Sequence, residues 1–550
     1  MTRVIATKET VKSVLGQIPF AAELYWLVRQ RGKPLHSHFT LKGLQAHLPE
    51  IVQQASCLRK TWVPSVNQVR PKKIFLFGSL HYWIEHAALI STALAAEGHR
   101  LALGYLPYAE WQAPINRFDY RRQNAYAHKV LNTLSPLVEI VSFADLRVPI
   151  QGLANNTRTP WTQVQEAIEQ VSDYDAQYTL QVEDIDKGSE IYRLRFERNQ
   201  QAAQAATYWL QSNRPDVVII PNGTIQELGV VFRVARILKI PAVTYEFGDQ
   251  RQRIWVGQNT EVMRQDTDAL WKARQDLPLS EAQYERLRSL FMARQRGSLW
   301  ENFARLWQDT PAQGGAQART ALGLDERPVV LLATNVLGDS LTLGRQVFSR
   351  TMSEWIGRTV QYFAGRPDVQ LMIRVHPGEV LTHGVSMVDV VHSVLPRLPE
   401  HIRLIKPKDK VNTYDLIEVA DLGLVYTTTV GMEMAMSGVP VIVSGITHYR
   451  ARGFTHDPES WVSYFKLLGQ ILEQPAKFRL TRSQVEHAWR YAYRFFFEYP
   501  RPFPWHLVRM WEDYQARPLE KVFSPEGRDQ YEETFRFLVG EPLNWANIRE

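Results

Sequence analysis

The sequence holds one cysteine, Cys57, in 550 residues. A single cysteine excludes an internal disulfide bond and a zinc site built from cysteines, so the cytoplasm is the expected compartment. The first residues, MTRVIATKETVKSVLG, lack the apolar core of a signal peptide, and no apolar run approaches the ~18 residues that cross a membrane. Any contact with a membrane is therefore expected to be peripheral.

Two glycine motifs that bind nucleotides are also missing. The pattern GxxxxGK[ST] does not occur, and no GxGxxG follows a predicted strand. These absences argue against ATP hydrolysis and dinucleotide redox chemistry, and no bound cofactor is expected.

The charge balance is basic, with 64 Lys and Arg against 57 Asp and Glu and a net charge of +7. Such a balance favours anionic partners: nucleotides, phosphorylated glycans, nucleic acid or an anionic membrane leaflet. Aromatic residues make up 11% of the chain, and AWRYAYRFFFEY at 488–499 combines them with arginines. A protein that binds polyanions or a membrane surface without catalysis is therefore one alternative to an enzyme.

The length exceeds what one hydrophobic core organises, so two domains plus accessory segments are expected. Residues 1–65 are predicted to be a helical N-terminal extension, in which Leu24, Trp26 and Leu27 form an apolar patch followed by RQRGK. A basic amphipathic segment of this kind lies either on a membrane surface or as a cap on the neighbouring domain. The sequence leaves both alternatives open.

Strand and helix patterns alternate in two separate series. KKIFLFGS, RPDVVIIPNGT and PAVTYEF mark strands of a first domain at 66–320, in which residues 110–200 are interpreted as a helical insertion. RPVVLLATN, VQLMIRVHP, HIRLIKP and PVIVSG mark a second domain at 321–480, and the tail at 481–550 is predicted to be helical. We therefore predict an α/β protein with two Rossmann-like, doubly wound parallel sheets that face a cleft.

Polar side chains follow two strands of the second domain, where open parallel sheets bind ligands. The strand LMIRV ends at His376, whose imidazole can donate to a phosphate or act as acid or base. The strand DLGLVY is followed by three hydroxyls, a glycine and a carboxylate on a short helix: Thr427, Thr428, Thr429, Gly431 and Glu433. Hydroxyls and the helix N-terminus offer donors to a phosphate, and the carboxylate is placed to reach a ribose diol, so the stretch predicts a nucleotide site.

The series RVHP, YDLIEVADLGLVYTTTVGMEMAMSGVPVIVSG and THYRARGFT resembles the capsule polysaccharide synthesis family of glycosyltransferases, which has the GT-B fold and includes Kdo-transferring members. The HP and hydroxyl motifs are also similar to those of bacterial polysialyltransferases and of polymerases that use CDP-glycerol. The specific match spans about residues 370–460, and the N-terminal half is similar only to a generic GT-B scaffold. The resemblance implies an acceptor domain, a donor domain and tail helices that cross back to the first domain.

The resemblance also implies roles for single residues. His376, Thr428 and Thr429 match the motifs that contact the donor phosphate, and Glu433 matches the glutamate that binds the donor ribose. The residues expected to bind the donor are Arg374, Thr428, Thr429, Gly431, Glu433, Tyr449 and Arg450.

Two further features follow from the resemblance. The loop at 406–411 is expected to contact the base through its backbone. Many retaining GT-B enzymes carry a second glutamate eight residues before the ribose-binding one, where this chain has Val425. The stereochemical outcome is therefore left open.

The stretch HYRARGFT follows the strand PVIVSG. Tyr449, Arg450 and Arg452 suit contact with a carboxylated or phosphorylated sugar, because arginine forks match such anions. An exposed loop without a ligand is the alternative.

An inverting transfer needs a base from the acceptor domain that removes the proton of the acceptor hydroxyl. His81 follows the first strand, and Glu246 and Asp249 follow another in TYEFGDQR. We take His81 and Glu246 as the catalytic candidates beside His376. A structural histidine packed on Trp83 is the alternative for His81.

Metal-dependent transferases of the other major fold use an Asp-x-Asp pair at a strand end. The pairs at 173–175 and 184–186 lie in polar stretches outside predicted strands, and we interpret them as solvated carboxylates. No metal site is expected.

The sequence therefore predicts a metal-independent GT-B glycosyltransferase that moves a sugar from a nucleotide-sugar donor, with CMP as one candidate nucleotide. The expected acceptor is a capsular or other surface polysaccharide or its lipid-linked precursor, and nucleic acid is not an expected partner. The expected location is cytoplasmic, with peripheral contact to the inner membrane as an option. Transfer of a polyol phosphate from a CDP donor and epimerisation of a UDP-sugar are alternatives on the same fold.

Overall fold

A computed structural model describes residues 2–34, 39–61, 70–148, 160–304 and 309–548. The predicted boundary between residues 65 and 66 lies outside the described residues. Two separate sheets organise the chain, one of seven strands and one of five.

The first sheet has the order β12-β6-β5-β4-β1-β2-β3. The five strands β1–β5 run parallel to one another. β6 pairs antiparallel with β5, and β12 pairs antiparallel with β6. The strands are β1 Lys73–Ser79, β2 Arg100–Leu106, β3 Val138–Ser142, β4 Val217–Pro221, β5 Ala242–Glu246, β6 Arg253–Gln258 and β12 Arg501–Pro502.

The interpretation of residues 110–200 as a helical insertion is wrong in part. Val138–Ser142 joins the parallel sheet as its edge strand, next to Arg100–Leu106. The strand has only five residues, of which Glu139 is exposed and Ile140 is partly exposed. It therefore lacks the continuous buried apolar run that marks the central strands.

The second sheet is parallel throughout and has the order β11-β10-β7-β8-β9. Its strands are β7 Val329–Ala333, β8 Gln370–Arg374, β9 Ile402–Ile405, β10 Leu422–Val425 and β11 Val441–Val443. Together the two sheets confirm the predicted α/β class with two Rossmann-like domains, the GT-B arrangement.

Helices flank both sheets. The helices before β7 are α1 Thr2–Gln17, α2 Ala21–Val28, α3 Lys42–Thr61, α4 His81–Ala96, α5 Arg117–Leu131, α6 Trp161–Leu180, α7 Glu190–Asn213, α8 Gln226–Ile237, α9 Asp268–Arg274, α10 Glu281–Gln295 and α11 Gly315–Leu322. Those after β7 are α12 Met352–Ala364, α13 Met387–Val394, α14 Thr413–Val419, α15 Val430–Met436, α16 Trp461–Glu473, α17 Pro475–Phe478, α18 Arg482–Tyr493, α19 Met510–Ala516, α20 Leu519–Val522 and α21 Pro525–Leu538.

The two hydrophobic cores do not divide at residue 320. Leu270, Leu287 and Leu290, from α9 and α10, are buried in one cluster with strands β7, β8 and β10 of the second sheet. The helix α11 packs on α14 of the same domain. The boundary at 320 stays a prediction, and apolar packing places these three helices with the second sheet.

The tail returns to the first domain. α18 packs on α15 of the second domain, a π-helical turn follows at Arg494–Glu498, and β12 then pairs with β6 of the first sheet. Residues from α19 to α21 complete the core of the first domain.

The aromatic and basic segment at 488–499 is therefore largely buried rather than an exposed patch. Tyr491, Phe495 and Phe496 are buried, and Arg494 is buried in an ion pair with Glu498. The segment joins the two domains, which removes the sequence feature that favoured a non-enzymatic polyanion-binding protein.

The two domains also meet directly across the cleft. The Glu183 carboxylate accepts hydrogen bonds from the backbone N–H of Met352 (2.6 Å) and Ser353 (2.8 Å) at the start of α12. Gln181 accepts from His383 N–H (2.8 Å) in the same way. These contacts, made by the residues after α6, close one side of the space between the sheets.

Candidate active site

A cavity of about 620 Å³ lies between the domains. Its second-domain wall is made by the loops that follow β7, β8, β9, β10 and β11, and its first-domain wall by the loop between β5 and β6 and by the residues after β6. The volume is in the range of small-ligand sites, and the carboxyl ends of the parallel strands face it, where open α/β sheets bind ligands.

His376 lines this cavity, as predicted for the residue after β8. Its backbone N–H donates to the Thr334 hydroxyl (3.1 Å), and its Nδ1 accepts from Gly378 N–H (3.0 Å). Because Nδ1 accepts, the neutral ring carries its proton on Nε2. The bond to Nδ1 orients the ring at the wall of the cavity, with Nε2 as its donor nitrogen.

Thr427, Thr428 and Thr429 line the same wall. The N–H groups at the start of α15 are already engaged, since Val430 donates to Thr428 Oγ1 (3.4 Å) and Gly431 to the Thr428 carbonyl (3.3 Å). The hydroxyls of the loop, rather than the N–H groups of α15, are therefore the donors offered at this helix start. Gly431 does not line the cavity and instead packs against the Tyr449 hydroxyl.

Arg374 lies at the end of β8 and lines the cavity while being buried. Its Nη1 donates to the Lys406 carbonyl (2.8 Å), and burial lowers the pKa of the guanidinium. Among the described residues no carboxylate pairs with it, and its Nε has no hydrogen-bond partner.

Arg345 is a second buried arginine in the cavity wall, and no sequence motif pointed to it. Its guanidinium donates to backbone carbonyls from both domains, those of Met263, Arg264 and Ile446. Burial lowers the pKa of Arg345 to about 10. Within the described part of the chain it too has no carboxylate partner.

Several other polar atoms that line the cavity are buried without a partner among the described residues: Thr427 Oγ1, Thr447 Oγ1 and His448 Nε2, besides Nε of Arg345 and Arg374. Buried polar groups in folded proteins are nearly always hydrogen-bonded. The wall of this cavity is therefore rich in polar side chains that are only partly satisfied within the described part of the chain.

Charge around the cavity is predominantly positive. Among the lining residues that the structure describes, seven are arginine or lysine, namely Arg253, Arg264, Arg294, Arg345, Arg374, Lys408 and Lys410, and four are aspartate, namely Asp249, Asp309, Asp339 and Asp409. Residues 407–411 of the loop after β9 line the cavity, where the resemblance placed the loop that contacts the base. The site therefore suits an anionic ligand.

Glu433 is buried on α15 and does not line the cavity. Its Oε1 accepts from Arg294 Nη1 (2.7 Å), and Arg294 in turn lines the cavity. Burial raises the pKa of the Glu433 carboxyl, and the ion pair with Arg294 opposes that rise. The predicted ribose contact stays a prediction; in this structure the carboxylate orients a cavity arginine.

The side chains of Tyr449 and Arg450 turn into the protein. The Tyr449 hydroxyl donates to the Thr428 carbonyl (2.5 Å), and Arg450 donates to the carbonyls of Val443 (2.7 Å) and Pro458 (2.8 Å). Neither residue lines the cavity. Tyr449 thus holds the loop that carries the threonines, and Arg450 holds the loop that follows β11, while their predicted contact with the donor stays a prediction.

The base candidates of the first domain lie beside the cavity rather than in its wall. Glu246 ends β5, is partly exposed, and accepts from Asn222 Nδ2 (3.1 Å) and Phe247 N–H (3.0 Å). Desolvation raises the pKa of Glu246 to about 7. No cation pairs with it among the described residues.

His81 begins α4. Its ring makes an edge-to-face contact with Tyr82, at 5.3 Å between ring centres, rather than with Trp83. Burial lowers the pKa of His81. Burial and, after it, the Glu246 carboxylate raise the pKa of Tyr82 to about 12, which places both base candidates around this tyrosine. Asp249, from the same predicted loop as Glu246, does line the cavity.

The interpretation of both Asp-x-Asp pairs as solvated is wrong for Asp175. This residue is fully buried on α6, where its carboxylate pairs with Arg195 (3.3 Å). Asp184 and Asp186 are exposed, as expected. Among the residues that the structure describes, no cluster of three His, Cys, Asp or Glu side chains has the arrangement of a metal site.

No helix in the described ranges combines the length and the apolar character that crossing a bilayer requires.

Comparison with known proteins gives structural likenesses only, since no protein-family model and no curated protein sequence matches the chain. The KpsC β-Kdo 2,4 transferase of Thermosulfurimonas dismutans aligns with 50% of this chain and 78% of its own, at 17% identity and a TM-score of 0.33. The calicheamicin glycosyltransferase CalG4 aligns with 83% of this chain and 100% of its own, at 14% identity and a TM-score of 0.27. The UDP-GlcNAc 2-epimerase of Neisseria meningitidis bound to UDP-GlcNAc aligns with 78% of this chain and 99% of its own, at 13% identity and a TM-score of 0.23. With TM-scores below 0.5, these likenesses carry no weight in assigning a function to this chain.

Proposed function

We propose that this chain is a metal-independent GT-B glycosyltransferase that takes a sugar from a nucleotide-sugar donor and adds it to a surface polysaccharide or its lipid-linked precursor. The observation that carries the proposal is the pair of buried guanidiniums, Arg345 and Arg374, which line the cavity with no carboxylate partner among the described residues. A buried charge without a partner is costly, and an anionic ligand removes that cost. The cytoplasmic location expected from the single cysteine is part of the proposal.

The second-domain wall is proposed to hold the donor phosphate. His376, Thr428, Thr429 and Arg374 line the cavity at the ends of β8 and β10, the two strands that flank β7. Donors that are fixed before the reaction stabilise the charge that develops on the leaving phosphate. The excess of cationic lining residues favours a donor with a further negative group, such as a CMP-linked ulosonic acid.

The first domain is proposed to supply the base. In a direct displacement, Glu246 takes the proton of the acceptor hydroxyl, the hydroxyl oxygen bonds to the anomeric carbon, and the bond from that carbon to the nucleotide phosphate oxygen breaks. The phosphate leaves with the electron pair. A carboxyl pKa of about 7 suits this task, because the group is then both basic and partly ionised at neutral pH.

The test is thermal stabilisation of the purified protein by CMP, CDP, UDP, GDP, ADP and NAD, first without metal and then with magnesium. A ligand at a hundred times its Kd stabilises the native state by about 2.7 kcal/mol. We expect a cytidine nucleotide to raise the Tm of the wild type and of His392→Ala, an exposed histidine of the same domain, but not of His376→Ala.

The outcomes separate the alternatives. A response to UDP or GDP alone would support the proposed site but with a donor built on that nucleotide. Analysis of product masses then distinguishes sugar transfer from polyol-phosphate transfer and from epimerisation. Absence of any nucleotide response in the wild type contradicts the proposed function.

A further inference from the structure

The first two helices present an apolar face that nothing in the described structure covers. α1 and α2 both pack on α5: Gly16 lies against the backbone of Phe118, Lys12 pairs with Asp119 (2.7 Å), and Ala22 is buried. The opposite side of each helix carries large apolar side chains that are exposed, namely Val11, Val14 and Ile18 from α1 and its end, and Phe20, Leu24, Leu27 and Val28 at α2.

This pattern is the reverse of an ordinary surface helix. A surface helix has one apolar stripe toward the core and polar residues on the other side. In α2, Ala22 and Trp26 face the protein, whereas Leu24 (61% exposed) and Leu27 (56% exposed) lie on the far side of the helix. Contiguous exposed apolar residues of this kind mark an interaction site.

The charges beside this face select the partner. Six of the residues at 2–33 are lysine or arginine and two are glutamate. Glu9 is paired with Lys12, and Glu23 with Arg121. Arg29, Arg31 and Lys33 are exposed directly after α2 and have no ion pair among the described residues.

We infer that α1, α2 and the basic turn at 29–33 form a docking surface for an anionic phospholipid membrane. Leu24, Leu27 and Phe20 enter the boundary between headgroups and acyl chains, while Arg29, Arg31 and Lys33 contact lipid phosphates, the arrangement by which amphipathic helices lie on membranes. The inference does not depend on the transferase assignment. It adds a membrane contact to the packing on α5 that α1 and α2 already make.

The test is co-sedimentation of the full-length protein with vesicles of phosphatidylcholine alone and of phosphatidylcholine and phosphatidylglycerol in equal amounts. We expect binding to the mixed vesicles that weakens as salt is raised. Leu24→Gln combined with Leu27→Gln should weaken it by about ten-fold per leucine. Arg29→Gln and Arg31→Gln should each weaken it by about five-fold.

Matched controls are Val462→Gln and Val508→Gln, which change valines that are 80% and 83% exposed elsewhere on the protein and should leave binding intact. An unchanged Tm shows that each variant folds, and an unchanged response to nucleotide separates this test from that of the proposed function. Failure of the wild type to bind mixed vesicles overturns the inference. Unchanged vesicle binding by the double leucine variant also overturns the inference. The same holds if the wild type forms a concentration-dependent dimer that the double leucine variant abolishes and that vesicles do not affect.

Discussion

Buried arginines have opposite surroundings in two regions of this molecule. Arg195, inside the first domain, is fully buried between Asp175 (3.3 Å) and Glu227 (3.0 Å). Burial alone would lower the pKa of Arg195, and the two carboxylates reverse this and raise it. Arg345 and Arg374, at the cavity, have no such partner in the described structure, and burial lowers the pKa of both.

The difference separates a structural charge from a functional one. A buried charge that is neutralised within the chain belongs to the fold, whereas one that is left unneutralised beside a cavity fits an external counter-charge. Glu246 is the acidic counterpart, a carboxylate beside the cavity with no cation paired to it among the described residues and a pKa raised to about 7 by desolvation.

The largest effect is expected for Arg195→Met. Removing this guanidinium leaves two buried carboxylates uncompensated, which typically costs about 3–5 kcal/mol of unfolding free energy. Urea unfolding measures the loss, with Arg350→Met, at an arginine that is 90% exposed, as the control. A loss below ~1 kcal/mol would mean that the buried network is not structural, and the comparison would fail.

Next in size is the effect of Glu246→Gln on turnover. We expect transfer to slow by about a hundred-fold or more, as for the loss of a general base. In the wild type, kcat/KM should fall as the pH drops through about 7, because the carboxylate is protonated below its pKa.

His81→Asn is the paired control for this prediction. Burial lowers the pKa of His81, so a rate limb set by this histidine would lie below its ordinary value rather than near 7. If His81→Asn removes the acid limb and Glu246→Gln does not, the base is the histidine and the proposed role of Glu246 is wrong.

The part of the site that follows β8 and β10 was predictable from the sequence, and the reason is geometric. His376, Thr428 and Thr429 follow strands whose apolar runs are visible in the sequence, and the carboxyl ends of parallel strands meet at one edge of a sheet. The two-domain α/β fold follows from the same alternation of apolar strands and helices. The short edge strand Val138–Ser142 was missed because Glu139 and Ser142 break up its apolar run and leave no stretch as long as those of the central strands.

The rest depends on contacts between distant parts of the chain. Arg345 lies in the stretch LTLGRQVFSR, outside any strand, and is buried by carbonyls of Met263 and Arg264, about 80 residues earlier. Tyr449 and Arg450 were expected to face a ligand, but a loop sequence does not state which side of the loop faces the cavity. The burial of Asp175 likewise depends on Arg195, which lies on the neighbouring helix.

Arg374→Met is expected to have a moderate effect on binding and little on folding. A charge-assisted hydrogen bond contributes about 1.5–3 kcal/mol, so the Kd of the bound nucleotide should rise by about ten-fold to a hundred-fold. The unfolding free energy of the free protein should not fall as it does for Arg195→Met, because no carboxylate is left uncompensated. Calorimetric titration and urea unfolding measure the two quantities, and a loss of stability equal to that of Arg195→Met would show that Arg374 is structural.

The smallest effect concerns Glu246 and stability. Desolvation raises the pKa of the Glu246 carboxyl from its ordinary value of 4.5 to about 7, so the folded state holds the proton more tightly than the unfolded chain. The stability that this carboxyl contributes is therefore present below pH 4.5 and is lost as the pH rises to about 7. Gln at this position does not titrate. The Tm of Glu246→Gln minus that of the wild type should therefore increase from pH 4.5 to about pH 7 and stay constant above it. The corresponding change in unfolding free energy is at most about 3 kcal/mol. Scanning calorimetry from pH 4 to 8 measures the difference. A difference that is flat across this range would mean that Glu246 is solvated in the folded protein, and its fitness as a base at neutral pH would have to come from the acceptor rather than from the protein.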